Sequence, residues 1–534
     1  MYRFMCITIM LISKGGAGMG RYRIDIDSLS YINAKQPVLH DIHITLPIDS
    51  FVVIAGKSGC GKTTLLRMLK KQLRPKMDVK GTIIWENQTK TLIEEMNDLE
   101  SAASIGYVSQ QTDLQLVSDQ VWHELAFGLE NLGMKSEDIH QQLAEVVSFL
   151  GLEDIYHTPI SHLSGGQKQI VQLAAVLAMK PKVILLDEPT SQLDPIAKQR
   201  FYDLLIRIHK EFDIGIIMVE HQLESLLDVC ERIIYLEEGT IAYDGKPNYL
   251  CKGHITYDAL LPYPARYIQQ MYPEEKENPV TEKQMRQMIK TVNIALPKIK
   301  EDTNTVLRCE HVYLRYQKDS PDVLRDFSVE VKEHEILCLF GGNGSGKTTF
   351  LKMLGSKYAN KFGKVDIKKR LLYLPQDPRI LFVKDSLKEE YAMFSNRDTW
   401  IKCFDLEKLL LMHPYDLSGG ELQRAALALL LMHCDDECIL LLDEPSKGLD
   451  MYYREQLAKI LKTLTEKHTI IMVSHDVEFA ALCADRCGFL FDGTITALKP
   501  VRSFMMDNNF YTTYWRRCTR HLTPCAITYE DMIS

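Results

Sequence analysis

Residues 163–194 read LSGGQKQIVQLAAVLAMKPKVILLDEPTSQLD, and this stretch decides the fold of the chain. Its opening serine and two glycines precede a helical run, so backbone N–H groups and a hydroxyl can face an anion at a helix N-terminus. The apolar residues 183–186 predict a buried parallel strand. Two carboxylates, Asp187 and Glu188, follow at the carboxyl end of that strand, where α/β sheets hold their ligands.

The same pattern occurs a second time at 417–450, as LSGGELQRAALALLLMHCDDECILLLDEPSKGLD. The spacing to a downstream histidine is also repeated, because Ser164 to His221 and Ser418 to His475 are both 57 residues. Self-similarity at fixed internal offsets indicates duplication of a structural unit. We therefore expect two related domains rather than one large one.

Each half also contains a phosphate-binding loop in its required context, between a buried strand and a helix. The strands are predicted at 51–55 and 336–340. Glycines let backbone N–H groups wrap phosphates, the lysine reaches the outer phosphate oxygens, and the following threonine can ligate Mg²⁺. The expected nucleotide-binding residues are Gly56, Lys57, Ser58, Gly59, Cys60, Gly61, Lys62, Thr63 and Thr64, and Gly341, Gly342, Asn343, Gly344, Ser345, Gly346, Lys347, Thr348 and Thr349.

Composition narrows the class of protein. Of the 534 residues, 46% are hydrophobic and 25% are charged, as in ordinary soluble domains, and the net charge of −8 argues against nucleic acid as the main partner. No apolar run of about 18 residues predicts a membrane-spanning helix. The 13 cysteines form no C-x-x-C pair and indicate a reducing cytosol. The pairs Cys434/Cys438 and Cys483/Cys487 lie in apolar runs, where core packing is favoured over metal binding.

Taken together, the six ordered motifs of each half resemble the ATP-binding subunits of ABC transporters. Besides the phosphate loop (Walker A), these are a Q-loop glutamine, the LSGG signature, the Walker B acids, a D-loop and a switch histidine. The Q-loop glutamines are Gln110 and Gln376, and the switch histidines are His221 and His475. The signatures contain Ser164, Gly165 and Gly166, and Ser418, Gly419 and Gly420. The Walker B acids are Asp187–Glu188 and Asp443–Glu444, and the D-loops are 191–194 and 447–450.

The resemblance implies an α/β fold with two tandem P-loop NTPase domains. Each would have a mostly parallel core sheet, an antiparallel β subdomain and an α-helical signature subdomain. The expected boundaries are an N-terminal extension at 1–20, the first ATPase domain at 21–260, a C-terminal extension and linker at 261–303, the second ATPase domain at 304–500, and a tail at 501–534. The linker is rich in Pro, Glu and Lys and includes one predicted helix at 282–292. The tail has no recognisable motif.

The family also implies two ATP sites between the halves, arranged head to tail. The Walker A, Walker B, Q-loop and switch residues of each half would face the signature of the other. Mg²⁺ would be held by Thr63, Gln110 and Asp187 in one site and by Thr348, Gln376 and Asp443 in the other. Catalysis would rest on Glu188 and Glu444, which orient the attacking water, together with His221, His475, Gln110 and Gln376.

A closer resemblance is to the energy-coupling factor transporters in which both ATPases are fused, carried by 115–131, 219–224 and 261–289. It implies an ATP-hydrolysing importer subunit that drives uptake of a vitamin, a metal ion or another micronutrient. The partners would be transmembrane subunits and a substrate-binding membrane subunit, with the chain on the cytoplasmic face of the cell membrane. The alternative is a soluble tandem ATPase that acts on the ribosome or in DNA repair.

Two finer expectations come from the same resemblance. An aromatic residue stacks on the adenine, for which Tyr316 is the match in the second half, whereas the aligned position in the first half is Asn33 and the nearest aromatic is Tyr31. Acidic residues beside the Q-loop receive arginines of the membrane subunit. The remaining acids are Glu124 in the first half and Glu389 and Glu390 in the second.

Overall fold

The computed structural model describes residues 20–32, 36–87, 89–110, 112–191, 193–253, 255–292, 304–317, 320–355, 361–434 and 436–533. It has two halves of the same architecture. Each half combines a six-stranded core sheet, a smaller antiparallel sheet and a helical layer. The predicted fold class is confirmed. Because residues 1–19 lie outside the described ranges, the prediction of an N-terminal extension does too.

The core sheet of the first half is built from runs of apolar residues with few polar interruptions. Such strands are buried on both faces, which is typical of parallel sheets covered by helices. Its strands are β3 (Phe51–Gly56), β6 (Ile105–Val108), β7 (Val183–Asp187), β8 (Gly215–Val219), β9 (Arg232–Glu237) and β10 (Thr240–Gly245), in the order β10-β9-β3-β8-β7-β6. All pairings are parallel except that of β9 with β10.

The antiparallel sheet of the first half comprises β1 (Arg21–Tyr31), β2 (Leu39–Pro47), β4 (Met77–Asn87) and β5 (Thr89–Leu92), in the order β2-β1-β4-β5. Strand β1 alternates buried and exposed residues, as a strand with one solvated face does. The helices are α1 (Lys62–Met68), α2 (Asp98–Ser104), α3 (Thr112–Gln115), α4 (Val121–Asn131), α5 (Ser136–Leu150), α6 (Gly165–Ala178), α7 (Pro195–Phe212), α8 (Tyr263–Met271) and α9 (Glu282–Met288).

The second half repeats this plan. Its core sheet contains β13 (Ile336–Phe340), β15 (Arg370–Leu374), β16 (Cys438–Asp443), β17 (Thr469–Val473), β18 (Arg486–Phe491) and β19 (Thr494–Pro500), in the order β15-β16-β17-β13-β18-β19. The antiparallel sheet has β11 (Thr305–Leu314), β12 (Leu324–Lys332) and β14 (Lys361–Ile367), with β11 central. The helices are α10 (Lys347–Gly355), α11 (Leu387–Tyr391), α12 (Arg397–Cys403), α13 (Gly419–Met432), α14 (Met451–Leu464), α15 (Val477–Cys483), α16 (Val501–Asp507), α17 (Tyr514–Thr519) and α18 (Glu530–Ile533).

Single turns of 3-10 helix fill the connections, at Lys71–Leu73, Ile93–Glu95, Glu153–Ile155, Ile160–His162, Pro247–Lys252, Asp258–Leu260, Pro378–Leu381, Glu407–Leu409 and Pro414–Asp416. The helix predicted at 282–292 is shorter in the structure, where α9 ends at Met288 and Ile289 already has an extended backbone. At its start, Thr281 and Gln284 form a capping box that satisfies two otherwise free backbone N–H groups.

The C-terminal tail, which carries no motif, joins the two halves. Residues of α16 pack in the core of the second half, whereas Tyr514, Trp515 and Tyr529 pack in the core of the first half. The fully buried Trp515 ring contacts Tyr263 and Tyr267 of α8, with ring centroids 5.6 Å apart in both pairs. The tail therefore covers the extension that follows the first ATPase domain.

An ion pair and a hydrogen bond reinforce this contact at its edge. Arg517 Nε donates to Glu282 Oε1 at 2.6 Å, and Arg286 Nε donates to the Arg517 carbonyl at 3.1 Å.

Within the described ranges, no helix is both long enough and apolar enough to span a bilayer.

Candidate functional site: two nucleotide sites between the halves

The two phosphate loops adopt the same conformation. Gly61 and Gly346 have φ angles of 99° and 104°, a left-handed conformation that favours glycine, and each leads directly into the first turn of α1 or α10. The lysine ammonium groups point back into the loops. Lys62 Nζ donates to the carbonyls of Gly56 and Lys57 at 2.9 Å each, and Lys347 Nζ makes the equivalent bonds at 2.9 and 3.0 Å.

A hydroxyl–carboxylate pair lies beside each loop. Thr63 Oγ1 donates to Asp187 at 2.8 Å, and Thr348 Oγ1 donates to Asp443 at 3.2 Å. Burial raises the pKa of both aspartates. Oxygen donors of this kind, one hydroxyl and one carboxylate, suit Mg²⁺, which takes few protein ligands and keeps several waters. The residues present therefore fit a Mg²⁺ ion in both sites.

Two tyrosines that the sequence analysis missed also reach these aspartates. Tyr107 OH donates to Asp187 and Tyr373 OH donates to Asp443, both at 3.3 Å. A signal for them was present in the sequence, because each stands three residues ahead of its Q-loop glutamine. By holding the second carboxylate oxygen, the tyrosines orient the first oxygen toward the threonine.

The second acid of each pair, Glu188 or Glu444, has a positive φ, 44° and 53°, directly after its strand. His221 Nε2 lies 2.8 Å from Glu188 Oε1, and Gln110 Nε2 donates to Glu188 Oε2 at 2.8 Å. The predicted glutamate, switch histidine and Q-loop glutamine are therefore brought together in the first half.

The equivalent contacts in the second half are looser. His475 Nε2 is 3.5 Å from Glu444 Oε1, although the His475 backbone N–H donates to Glu444 Oε2 at 3.1 Å. Gln376 is exposed, and among the described residues no hydrogen bond joins it to Glu444. Gln376 therefore does not engage Glu444 in the way that Gln110 engages Glu188.

The pKa shifts of the two glutamates, Glu188 and Glu444, differ as their hydrogen bonds do. Burial would raise the pKa of Glu188, but the adjacent His221 imidazole, together with Lys62 and Arg454, outweighs burial and leaves that pKa below its usual range. Burial raises the pKa of Glu444 to about 7, only partly offset by the His475 backbone N–H and by Lys347. Burial also lowers the pKa of His475 to about 3. His475 is therefore a neutral imidazole at physiological pH.

The signature of the second half lies against the phosphate loop of the first half. The Ser58 backbone N–H donates to Asp450 Oδ2 at 2.6 Å, which joins the first loop to the D-loop of the second half. A Cβ atom placed on Gly420 would lie 3.4 Å from Ser58 Oγ, and one on Gly419 would lie 3.8 Å from Gln110 Nε2. Ser418 is the N-cap residue of α13, so the N-terminus of this helix, where anions are favoured, lies beside the first phosphate loop.

The arrangement at Lys347 is related but less direct. Asp194, the last residue of the first D-loop, acts electrostatically on Lys347, and Ser164 caps α6 through a capping box with Gln167. Gln192 of the same D-loop lies outside the described residues. A cavity of about 480 Å³ between the halves is lined by both glutamates and both switch histidines, and also by Arg454.

A tyrosine cage (Tyr257, Tyr452 and Tyr453) holds Lys57 of the first loop. The Lys57 ammonium lies 4.5, 4.8 and 5.1 Å from these three ring centroids. Contacts between a cation and the faces of aromatic rings are attractive. Two of the rings belong to α14 of the second half, so the cage links the Lys62 site to the facing domain. Sequence motifs gave no sign of it.

Tyr31 and Tyr316 occupy equivalent positions. Tyr31 OH bonds to Thr64 Oγ1 at 3.1 Å and Tyr316 OH to Thr349 Oγ1 at 2.7 Å, across 33 residues in both halves. The rings are 46% and 54% exposed. The structural equivalent of Tyr316 is therefore Tyr31, not the position of Asn33 aligned by sequence. Asn33 itself lies outside the described residues.

Because an exposed ring at this position can stack on a base, we expect Tyr316→Ala to weaken ATP binding at the Lys347 site. Stacking of this kind is worth about 1–3 kcal/mol per base, or about 5–150-fold in Kd. Tyr31→Ala is expected to act equally on the Lys62 site. Titration with a fluorescent adenine nucleotide measures both affinities, and Tyr316→Phe serves as the control that keeps the ring. An unchanged affinity after Tyr316→Ala would remove the stacking role.

Comparisons with known proteins agree with this geometry. The sequence matches the ABC transporter family over residues 39–191 and 324–447. It is 38% identical to a protein named as an ABC transporter ATP-binding protein of Bacillus thuringiensis, over 95% of this chain and 97% of the relative. It is 30% identical to one named as an HMP/thiamine import ATP-binding protein of Bacillus subtilis, over 88% of this chain and 90% of the relative. Among solved structures, an archaeal ribosome recycling factor in complex with a ribosomal stalk protein has a TM-score of 0.58 at 22% identity, covering 90% and 91% of the two chains.

Proposed function

Because the chain belongs to the ABC transporter family of ATP-binding proteins, as a tandem ATPase, we propose that it is the ATP-hydrolysing subunit of an importer of the energy-coupling factor type. Two ATP sites between its halves would drive membrane subunits that take up a vitamin, a metal ion or another micronutrient. The relative named for HMP/thiamine import, similar over most of both chains, supports a small nutrient as the cargo.

In the proposed mechanism, the loop lysines Lys62 and Lys347 bind the outer phosphates, and the signature of the facing half completes each site. Mg²⁺, held by Thr63 and Asp187 or by Thr348 and Asp443, supplies charge neutralisation on the phosphates when bound. Glu188 and Glu444 orient the attacking water and accept its proton. His221 and Gln110 hold the two oxygens of Glu188, so they fix its orientation as a base.

The observation that carries the importer proposal is an exposed valine side chain that follows the Q-loop glutamine by seven residues in each half. Val117 is 62% exposed and Val383 is 82% exposed. Each is held by one carboxylate in the following helix. Glu124 accepts the Val117 backbone N–H at 2.9 Å, and Glu390 accepts that of Val383 at 2.9 Å. The backbone at each valine is fixed by hydrogen bonds while its apolar side chain stays exposed. Exposed apolar side chains of this kind are typical of surfaces that bind another protein.

Further exposed apolar side chains lie in the same two segments of the chain, namely Phe127 in the first half and Ile380 and Met393 in the second. We call the surface formed by these five residues the apolar docking surface. Along the chain these residues lie between the Q-loop glutamine and the signature in both halves, which supports a partner that contacts both ATPase domains. A pair of transmembrane subunits fits this requirement.

The acids assigned to arginine binding take different roles here. Glu124 is only 7% exposed, and one of its carboxylate oxygens accepts hydrogen bonds from the Val117 and Ser118 backbone N–H groups. Its carboxylate is therefore not available to an arginine of the partner. Glu390 does the same for Val383 and Lys384. Glu389 is exposed and remains the candidate for an arginine of the partner. Charge reversal at Glu390 would therefore disturb the loop itself.

We expect the double substitution Val117→Ser/Val383→Ser to abolish co-purification with the membrane subunits, while ATP hydrolysis by the isolated chain stays near the wild-type rate. The loss follows because these side chains would be buried by the partner, at about 1.5–3 kcal/mol for each. Phe491→Ser, at an equally exposed phenylalanine on a core-sheet hairpin, is the matched control and should retain the complex. Retention of the complex by the double variant would contradict the docking proposal.

The ribosome alternative has weaker support. The likeness to the archaeal recycling factor extends over most of both chains, but at 22% identity it shows the fold alone. No feature of the described residues favours action in DNA repair. The importer proposal is therefore preferred on the relatives and on the apolar docking surface.

A further inference from the structure

The loop after the signature helix of the second half brings together two cysteines and a histidine that the ATPase mechanism does not use. Cys434 Sγ lies 3.1 Å from Cys438 Sγ, and His468 Nδ1 lies 3.4 Å from each sulfur. Sequence spacing had favoured core packing for the two cysteines. It gave no sign of His468, which is 30 residues beyond Cys438 and arrives only through the pairing of β16 with β17.

Core packing accounts poorly for this histidine. His468 is 5% exposed, and a buried imidazole needs good hydrogen-bond partners. In the described part of the chain, its ring nitrogens contact only the two sulfur atoms. Thiols are weak donors and weak acceptors, so they satisfy an imidazole badly. The same three groups are strong ligands for a borderline metal ion.

We propose that Cys434, Cys438 and His468 bind a Zn²⁺ ion. Zinc bonds of about 2.3 Å to sulfur and about 2.0–2.1 Å to nitrogen place tetrahedral ligand atoms about 3.5–3.8 Å apart. The two sulfur–nitrogen separations of 3.4 Å already come close to that spacing, and only the sulfur–sulfur separation of 3.1 Å must widen. Cys434 is partly exposed, which gives the ion a path of entry and leaves the fourth position to solvent.

The position of this zinc site in the fold separates it from the chemistry of ATP hydrolysis. Cys438 is the first residue of β16 and Asp443 is the last, so the cluster lies about 17 Å from the nucleotide edge at about 3.3 Å per residue. Cys434 follows the end of α13, the helix that presents the second signature. A bound ion would therefore join the signature helix to the starts of β16 and β17, because it ties three chain segments to one centre.

The test uses the full-length chain, stripped of metal by a chelator under reducing conditions, with Mg²⁺ in excess and no nucleotide. Zn²⁺ is titrated in competition with a chromophoric chelator, and Co²⁺ is then substituted as a spectroscopic probe. We expect one high-affinity Zn²⁺ per chain and, with Co²⁺, the sulfur-to-metal charge-transfer absorption that only thiolate ligands produce. We expect a large loss of Zn²⁺ affinity in each of the variants Cys434→Ser, Cys438→Ser and His468→Gln. Loss of a residue that only supports a ligand typically costs about 10–100-fold in metal affinity, and loss of a ligand itself should cost more.

Cys403→Ser, at an exposed cysteine outside the cluster, is the matched control and should bind Zn²⁺ as the wild type does. Because Cys434 is only partly buried, Cys434→Ser should still fold, and its ATP affinity reports whether it has. Absence of high-affinity Zn²⁺ binding in the reduced wild-type chain would overturn the proposal. So would unchanged Zn²⁺ affinity in a folded Cys434→Ser variant, or a Co²⁺ spectrum without the thiolate absorption.

Discussion

Glu188→Gln is expected to lower the ATP hydrolysis rate by about 10²–10⁴-fold, the loss that follows removal of a general base. The amide keeps the shape of the side chain but cannot accept a proton from the attacking water. Glu444→Gln is expected to cause a loss in the same range, because both sites possess the lysine, the threonine–aspartate pair and the glutamate. Steady-state phosphate release from each single variant measures both losses.

The control for these variants is Glu466→Gln, the same change at an exposed position after α14, which should leave hydrolysis unchanged. ATP binding should survive in both Glu188→Gln and Glu444→Gln, because the phosphate-binding groups are intact. A near-normal rate in either variant would show that its glutamate is not a base. The looser contacts of Glu444 make that half the more stringent test.

Trp515→Ala is expected to destabilise the chain by about 3–5 kcal/mol, the usual cost of truncating a buried tryptophan. Trp515 is fully buried and contacts Tyr263 and Tyr529, so its removal leaves a cavity where the tail meets the first half. Typical domains are stable by only about 5–15 kcal/mol, so the first unfolding transition in urea should move to clearly lower denaturant concentration.

Phe510→Ala is the control for the tail, because Phe510 is 71% exposed and its removal should change stability by less than about 0.5 kcal/mol. If Trp515→Ala unfolds at the same urea concentration as the wild type, the tail does not hold the two halves together. A parallel loss of ATP hydrolysis in Trp515→Ala would indicate that this joint also sets the geometry of the nucleotide sites.

Local patterns in the sequence were enough to predict the nucleotide loops, the Walker B strands and the fold class. These depend on residues that are neighbours in the chain, such as the strand–loop–helix around Lys62. The sequence alignment matched Tyr316 to the position of Asn33 rather than to Tyr31, although the offset of 33 residues from each tyrosine to its threonine is the same in both halves.

Contacts between distant segments could not be predicted. The tyrosine cage around Lys57 depends on how the halves meet, and the burial of Trp515 depends on a tail without any motif. Glu124 was expected at a docking groove, but its carboxylate is engaged by backbone N–H groups a few residues upstream. Sequence pattern shows that a carboxylate is on a helix face, not which donors lie within reach of it.

The claim that this chain works at a membrane rather than on the ribosome is tested most directly by its partners in the cell of origin. The measurement is fractionation of that cell at moderate salt, followed by purification of the tagged full-length chain and identification of what accompanies it. The account predicts recovery from the membrane fraction in stoichiometric complex with integral membrane proteins. Recovery with ribosomal particles, and without any integral membrane protein, would contradict it.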